Sequence, residues 1–175
     1  ELVVADKGNR IRLDAYHLLR DVKGKKGKKI RILDDISLPF EPGQLVALVG
    51  GSGAGKSTLM RTLLGVDPTT GGNVFLNGEN LRKNFNIYRT QIGYVPQDDI
   101  IHRNLRVEEV LNYAAQLRLP PDTNLDAVIT QTLKEIEMSH KRDTLVKDLS
   151  GGQRKRVSIG VELLADPKLF FLDEP

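Results

Sequence analysis

The chain has 175 residues and a formal net charge of +3. That is one domain of ordinary size, large enough for a real core, with too little excess charge to argue for nucleic acid. There is no cysteine, which excludes a disulfide framework, a thiolate metal site and a cysteine nucleophile. No apolar run approaches the roughly 18–20 residues that span a bilayer, and no signal peptide is visible. The start at Glu1 and the stop at Pro175, directly after an apolar run ending in Asp-Glu, read as an excerpt. Residues 1–12 are expected to be a lead-in from a preceding region.

Ile11 to Val22 predicts one or two strands, with Ile11 and Leu13 alternating against Arg10, Arg12 and Asp14. Lys23-Gly24-Lys25-Lys26-Gly27-Lys28-Lys29 reads as a solvated hairpin tip, or as a basic finger toward anionic surfaces. Strand character resumes at Ile30–Leu33 and Ile36–Leu38, and Glu41-Pro42-Gly43-Gln44 is a turn of type II chemistry. Leu45-Val46-Ala47-Leu48-Val49 is an unbroken apolar run that predicts a strand buried on both faces. Gly50 to Thr58 follows, then a helix through Leu64 with Gly65 as its stop. Asp67–Gly72 is a loop, Asn73–Leu76 a strand, and Asn77-Gly78 a tight turn. Ile92–Val95 is another short strand, left by Pro96-Gln97-Asp98-Asp99.

Val107–Leu119 predicts a helix with Val110, Leu111, Ala114, Ala115 and Leu117 on a broad apolar face, ended by Pro120-Pro121. Leu125–Met138 predicts a second amphipathic helix, and Lys141–Asp148 a loop. Leu149-Ser150-Gly151-Gly152-Gln153 is a second glycine turn, opening a helix to about Leu164. Leu169–Leu172 predicts a buried strand that delivers Asp173-Glu174 at its end.

Two stretches carry chemistry. Gly50-Gly51-Ser52-Gly53-Ala54-Gly55-Lys56-Ser57-Thr58 fits a phosphate-binding loop: a glycine, four residues, then Gly-Lys-Ser. Its glycines let the backbone close on an anion, and a helix N-terminus favours phosphate. Lys56 is expected to reach the β- and γ-phosphates, and the Ser57 hydroxyl to bind Mg²⁺. In open α/β sheets ligands sit beyond the strand C-termini. Asp173 is therefore expected to hold Mg²⁺ opposite Ser57, and Glu174 to orient or deprotonate the attacking water.

Four separated motifs together resemble the nucleotide-binding domain of an ABC transporter. Gly50–Ser57 is similar to its Walker A loop and Gln97, in Tyr-Val-Pro-Gln-Asp-Asp, to its Q-loop glutamine. Leu149–Gln153 matches its signature, and Leu169–Glu174 its Walker B with the catalytic glutamate. The run from Gln153 to Leu164, with Tyr94–Asp99, looks most like the G-type (White-like) subfamily, largely half-transporters that often export lipids or other hydrophobic compounds. The resemblance implies an α/β fold. It has a P-loop NTPase (RecA-like) core, an antiparallel β subdomain and an inserted α-helical subdomain at about 98–155, over residues 13–175 and incomplete at the C-terminus.

The family also implies a mechanism. Two such domains, from the same or different chains, pair head to tail around ATP and Mg²⁺. Residues 50–58 of one, namely Gly50, Gly51, Ser52, Gly53, Ala54, Gly55, Lys56, Ser57 and Thr58, bind the nucleotide with Gln97. Ser150, Gly151 and Gly152 of the other contact the γ-phosphate in trans, with Gln153 also counted among the nucleotide-binding residues. Glu174, Gln97 and Lys56 serve catalysis; Ser57, Gln97 and Asp173 serve the metal. The Gln97–Arg103 region is expected to face a transmembrane domain on the cytoplasmic face of a membrane and to power transport, with export the expected direction.

Two departures stand out. The position that usually stacks adenine falls at Val22, so the Arg20 guanidinium is the expected substitute, Tyr16 lying too early. None of His17, His102 or His140 sits where the family has its switch histidine, so this piece alone is expected to show weak or no ATPase activity. The alternative reading is a soluble ABC-type ATPase acting on nucleic acid or the ribosome. Two modest helices between Asp98 and Asp148, without a long coiled coil, disfavour the chromosome-type members. The lysine tip lacks the aromatic interleaving of a nucleic-acid finger. A third reading, an interaction module without turnover, is disfavoured by Glu174.

Overall fold

The computed structural model describes residues 10–24, 27–98 and 100–173. The chain divides into two compact units, Glu1–Arg89 and Thr90–Pro175.

The first unit is built on an antiparallel sheet of order β2-β1-β3-β4. Strands β1 (Leu13–Lys23) and β2 (Lys29–Phe40) form a long hairpin that closes at Lys23↔Lys29, where the lysine tip was expected. Lys25 and Lys26 of that tip lie outside the described residues. β3 (Gly71–Leu76) pairs with the other edge of β1, and β4 (Glu79–Asn80) with β3. Asn77 and Gly78 join β3 to β4 with φ of 50° and 81°, both in the left-handed region that a two-residue hairpin turn of the primed type needs.

The phase of β1 is reset midway. Leu13 and Ala15 are buried two apart, and Leu18 is buried three further on, a change of parity that would turn it to the opposite face of a regular strand. The register with β2 shifts between Ala15 and Leu18, and His17 has φ 48°. This irregularity restores Leu18 to the core. Gly72 lies against it: a Cβ there would sit 2.2 Å from the His17 carbonyl oxygen and 2.4 Å from that of Tyr16. Asp14, read as a solvent position, is buried and paired with Arg12 Nε at 2.8 Å, because a buried carboxylate needs a cationic partner.

Helix α1 (Lys56–Leu63) follows the glycine loop and buries Leu59, Thr62 and Leu63. The short helix α2 (Phe85–Tyr88) and the strand β4 had no counterpart among the predicted elements. One prediction fails here. Leu45–Val49 is not a strand, and Leu45 is 98% and Val49 90% exposed. An apolar run becomes a two-faced buried strand only with hydrogen-bonded neighbours and covered faces. Among the described residues no strand pairs with it.

The second unit holds a parallel pair, β5 (Ile92–Val95) and β6 (Leu169–Leu172), with Ile92↔Leu169 through Val95↔Leu172 in register. Leu172 is exposed and the rest of β6 half-buried, not buried as expected, since β6 pairs only with β5 among the described residues. Helices α3 (Val107–Arg118), α4 (Leu125–Glu135) and α5 (Gly151–Leu163) pack around a core that includes Leu111, Leu133, Met138, Val146 and Val157. α4 stops before Met138 because Glu137 turns to φ 57°. The predicted loop 141–148 contains a 3₁₀ turn at Val146–Asp148, and another closes at Lys141. Leu117, predicted on the apolar face of α3, is 87% exposed. That face is wider than its cover: Leu111 and Ala115 are buried while Tyr113 and Leu117 stand open.

Arg142 ties the first turns of α3 and α4 together through Glu108 at 2.5 Å and Asp126 at 2.6 Å. Its hydrogen bond holds the Glu108 carboxyl below its ordinary value, against partial desolvation. A lowered folded-state value means that this stabilisation is complete above the ordinary carboxylate range and is lost as pH falls through the lowered value. Arg142→Met should therefore cost about 0.5–1 kcal/mol near neutral pH, discounted for exposure, with the difference from wild type closing in acid; urea unfolding across pH measures it. Gly72→Ala should destabilise by well over ~1 kcal/mol. Gly78→Ala, equally positive in φ but with nothing within 4 Å of its Cβ, should cost only about 1 kcal/mol in the same assay.

Candidate nucleotide site

The glycine loop lies in the first unit. Gly53 and Gly55 have φ of 79° and 88°, a conformation that side chains resist. The Ala54 N–H donates to the Gly51 carbonyl at 3.2 Å, turning the loop back on itself. Gly55 is the N-cap of α1 and offers no capping side chain, so capping there is left to backbone, solvent or ligand. No acidic residue stands in the first turn, which keeps the positive end of the helix attractive to an anion. Lys56 Nζ donates to the carbonyls of Gly50 at 2.8 Å and Gly51 at 3.0 Å. The ammonium thus braces the loop and still has a third donor. Gly50–Gly53, Ala54 and Ser57 are exposed, Lys56 and Thr58 partly so.

The other expected residues lie in the second unit. The Asp173 N–H donates to the Val95 carbonyl at 2.9 Å, continuing the β5–β6 ladder one residue past the end of β6. Asp173, 6% exposed, and the Pro96-Gln97 turn therefore leave the same C-terminal end of the parallel pair. Gln97 and Asp173 are brought together by backbone pairing. Glu174, the expected base, and Asp99 lie outside the described residues.

The signature turn is the N-terminus of α5. Ser150 is its N-cap: Ser150 Oγ accepts from Gln153 N–H at 3.2 Å, and Gln153 Oε1 accepts from Ser150 N–H at 3.0 Å. This reciprocal capping box fixes the turn and leaves Gly151 and Gly152 exposed. The side-chain amide oxygen of Gln153 is thus occupied within its own turn. Arg154 Nη1 also donates to the Leu149 carbonyl, at 2.6 Å.

The expected adenine contact is corrected. The Arg20 side chain is only 15% exposed, paired with Asp67 at 3.4 Å and donating to the Pro68 carbonyl. Arg61 holds the same carboxylate at 3.2 Å. A guanidinium fastened to a loop on one edge and largely covered does not offer a face to a base. Tyr16 is half exposed and meets Phe75 edge to face at 5.6 Å.

Two residues that sequence reasoning missed are Lys155 and Glu162. Lys155 Nζ donates to the carbonyls of Pro96 at 3.0 Å and Gln97 at 2.8 Å. Glu162 accepts from Tyr94 N–H at 3.4 Å and from Arg118 at 2.7 Å. Their spacing of seven, two helical turns, was the available signal. Among the described residues no group of three or more His, Cys, Asp or Glu side chains could hold a metal. The Ser57 hydroxyl in the first unit and the Asp173 carboxylate in the second are each oxygen donors of the kind Mg²⁺ takes, since it uses few protein oxygens alongside water and phosphate.

Helix after glycine loop, a parallel strand pair ending in a buried aspartate, and a capped glycine turn define an α/β nucleotide-binding protein of P-loop type. Residues 33–175 match the family model described as ABC transporter, and the chain belongs to that family. It is 51% identical over 147 residues to the ABC transporter ATP-binding/permease protein Rv1747 of Mycobacterium tuberculosis, covering 82% of this chain and 17% of that one. It is 42% identical over 146 residues to ABC transporter G family member 4 of Arabidopsis thaliana, covering 82% of this chain and 25% of that one. The chain thus spans a quarter or less of these relatives. Among solved structures it resembles cbiO1 from Clostridium perfringens, part of the ABC transporter complex cbiONQ. The TM-score is 0.80 at 28% identity, over 93% of this chain and 65% of that one. The fold is the P-loop ATPase fold expected, and the G-type resemblance agrees with the relatives.

Lys56→Met removes the brace of the loop together with its charge. It should weaken MgATP binding by roughly tenfold or more, about 1.4 kcal/mol, in titration calorimetry. The exposed site should leave the urea midpoint nearly unmoved.

Proposed function

We propose that this chain is the ATP-hydrolysing motor domain, over residues 13–175 with a helical subdomain at about 98–155, of a G-type transporter working on the cytoplasmic face of a membrane, with export the favoured direction. The supporting observation is the Asp173 N–H bond to the Val95 carbonyl. It sets a buried carboxylate beside the root of Gln97, as an ATPase needs. Gly50–Thr58 cradle the triphosphate with backbone N–H groups, and Lys56 offers its ammonium to the β- and γ-oxygens. Ser57, Asp173 and Gln97 are the residues that would serve Mg²⁺, which would supply neutralisation of phosphate charge. Glu174 accepts a proton from the attacking water.

Ser150, Gly151, Gly152 and Gln153 serve a second domain of the same kind. Their rigid, exposed helix N-terminus suits a γ-phosphate presented from outside. The names of the relatives, a permease and G family transporters, support a membrane partner. So does an apolar groove of about 580 Å³ whose lining includes Tyr94, Ile100, His102, Tyr113 and Leu117. Ile100 and His102 belong to the Gln97–Arg103 region, so the loop that carries Gln97 also forms a wall of the docking groove. No helix among the described residues is long and apolar enough to cross a membrane.

Glu174→Gln in the full-length protein should keep ATP binding and accumulate an ATP-dependent dimer. Hydrolysis should fall at least about 100-fold, as for loss of a general base. Hydrolysis within about tenfold of wild type would remove Glu174 from the role of base.

A further inference from the structure

We propose that Lys155 is a positioning residue for Gln97, coupling the signature helix to the Q-loop; this rests on the reading above that Gln97 serves the metal or the attacking water. The two carbonyls that Lys155 holds, those of Pro96 and Gln97, are the first beyond the β5–β6 ladder, whose last bond is made by Val95. Past that point the backbone has left the sheet, and the ammonium takes over its fixation. Each peptide unit is planar, so holding two successive carbonyls fixes the planes on both sides of the Gln97 Cα. Pro96 narrows the remaining freedom, because its φ is locked. The origin and direction of the Gln97 side chain are thereby set from α5.

Lys155 stands two residues after Gln153, in the same helical turn that the Ser150 capping box holds rigid. Seven residues on, Glu162 accepts from the Tyr94 N–H of β5 and is itself gripped by Arg118. Residues seven apart share a helix face, so α5 holds β5 through Glu162 and the segment that leaves β5 through Lys155. The lower contact is anchored by the Arg118 pair, while the upper is one flexible lysine reaching two carbonyls. A displacement of the signature end of α5 is therefore transmitted to Gln97 before it disturbs the sheet. Nucleotide engaged by the signature turn and the Gln97 amide then act as one unit. A purely structural lysine would contribute to folding and leave turnover alone.

The test uses the full-length protein, with steady-state ATPase measured for wild type, Lys155→Met, Lys155→Arg, Gln97→Ala and the double variant Gln97→Ala/Lys155→Met. Lys155→Met should lower kcat about tenfold while KM for MgATP moves less than about threefold. Lys155→Arg, which keeps charge and donors, should recover to within about threefold of wild type. In the Gln97→Ala background, Lys155→Met should cost less than about twofold more, because the two residues act as one. Should Lys155→Met not fold, Lys155→Gln, which retains one donor pair, takes its place with the same cycle. Three results overturn the proposal: kcat of the Lys155 variant within about twofold of wild type, equal losses for Met and Arg, or fully multiplicative losses in the double variant. An unchanged kcat for Gln97→Ala would instead overturn the underlying reading of Gln97, and the proposal with it.

Discussion

The chemistry of the second unit depends on one hydrogen bond beyond a sheet. β5 and β6 run parallel for four paired positions, and the Asp173 N–H then donates to the Val95 carbonyl. Parallel pairing makes both strands end on the same side, so whatever follows each is delivered to the same place. One strand is followed by a buried carboxylate, the other by Pro96 and a glutamine. The register sets both chain segments at that end of the pair, whatever their side chains do. The helix α5 supplies the next constraint. Its N-terminus is the signature turn, closed by a reciprocal Ser150–Gln153 cap, and the same helix grips β5 through Glu162 and the turn after β5 through Lys155.

The glycine loop shows the complementary design. Its stiffness comes from backbone conformations open to glycine and from an ammonium folded onto the Gly50 and Gly51 carbonyls. The charge that waits for phosphate is also the charge that keeps the loop in shape. On the proposed reading, binding and preorganisation are carried by one side chain, and its removal is expected to weaken both.

Much of this was legible in the residues. The two glycine turns, the short strand before Pro96 and the apolar strand before Asp173 have local signatures: turn chemistry, helix caps and uniform hydrophobic runs. Elements set by distant partners were less legible. Leu45–Val49 carries the pattern of a buried strand, yet a pattern states only what the segment could bury. Leu117 misled for the same reason, since periodicity marks an apolar face without saying how much of it is covered. Arg20 was misread because its partner, Asp67, lies far along the chain, and Asp14 because its pairing with the nearby Arg12 depends on side-chain geometry rather than on pattern. The spacing of Lys155 and Glu162 placed them on one helix face, but the partners of Lys155 were not legible, being backbone carbonyls nearly sixty residues earlier in the chain.

The central claim is that the nucleotide is shared, with Gly50–Thr58 of one copy facing Ser150–Gln153 of another. Two defects, Lys56→Ala and Ser150→Arg, test it when placed in full-length dimers purified through two different tags. With the defects on opposite copies, a shared arrangement leaves one composite site intact and ATP is occluded. With both defects on one copy beside a wild-type partner, a shared arrangement leaves none and occlusion is lost. The reverse pattern, occlusion by the second dimer and none by the first, would mean that each chain completes its own site, and would contradict the shared arrangement outright.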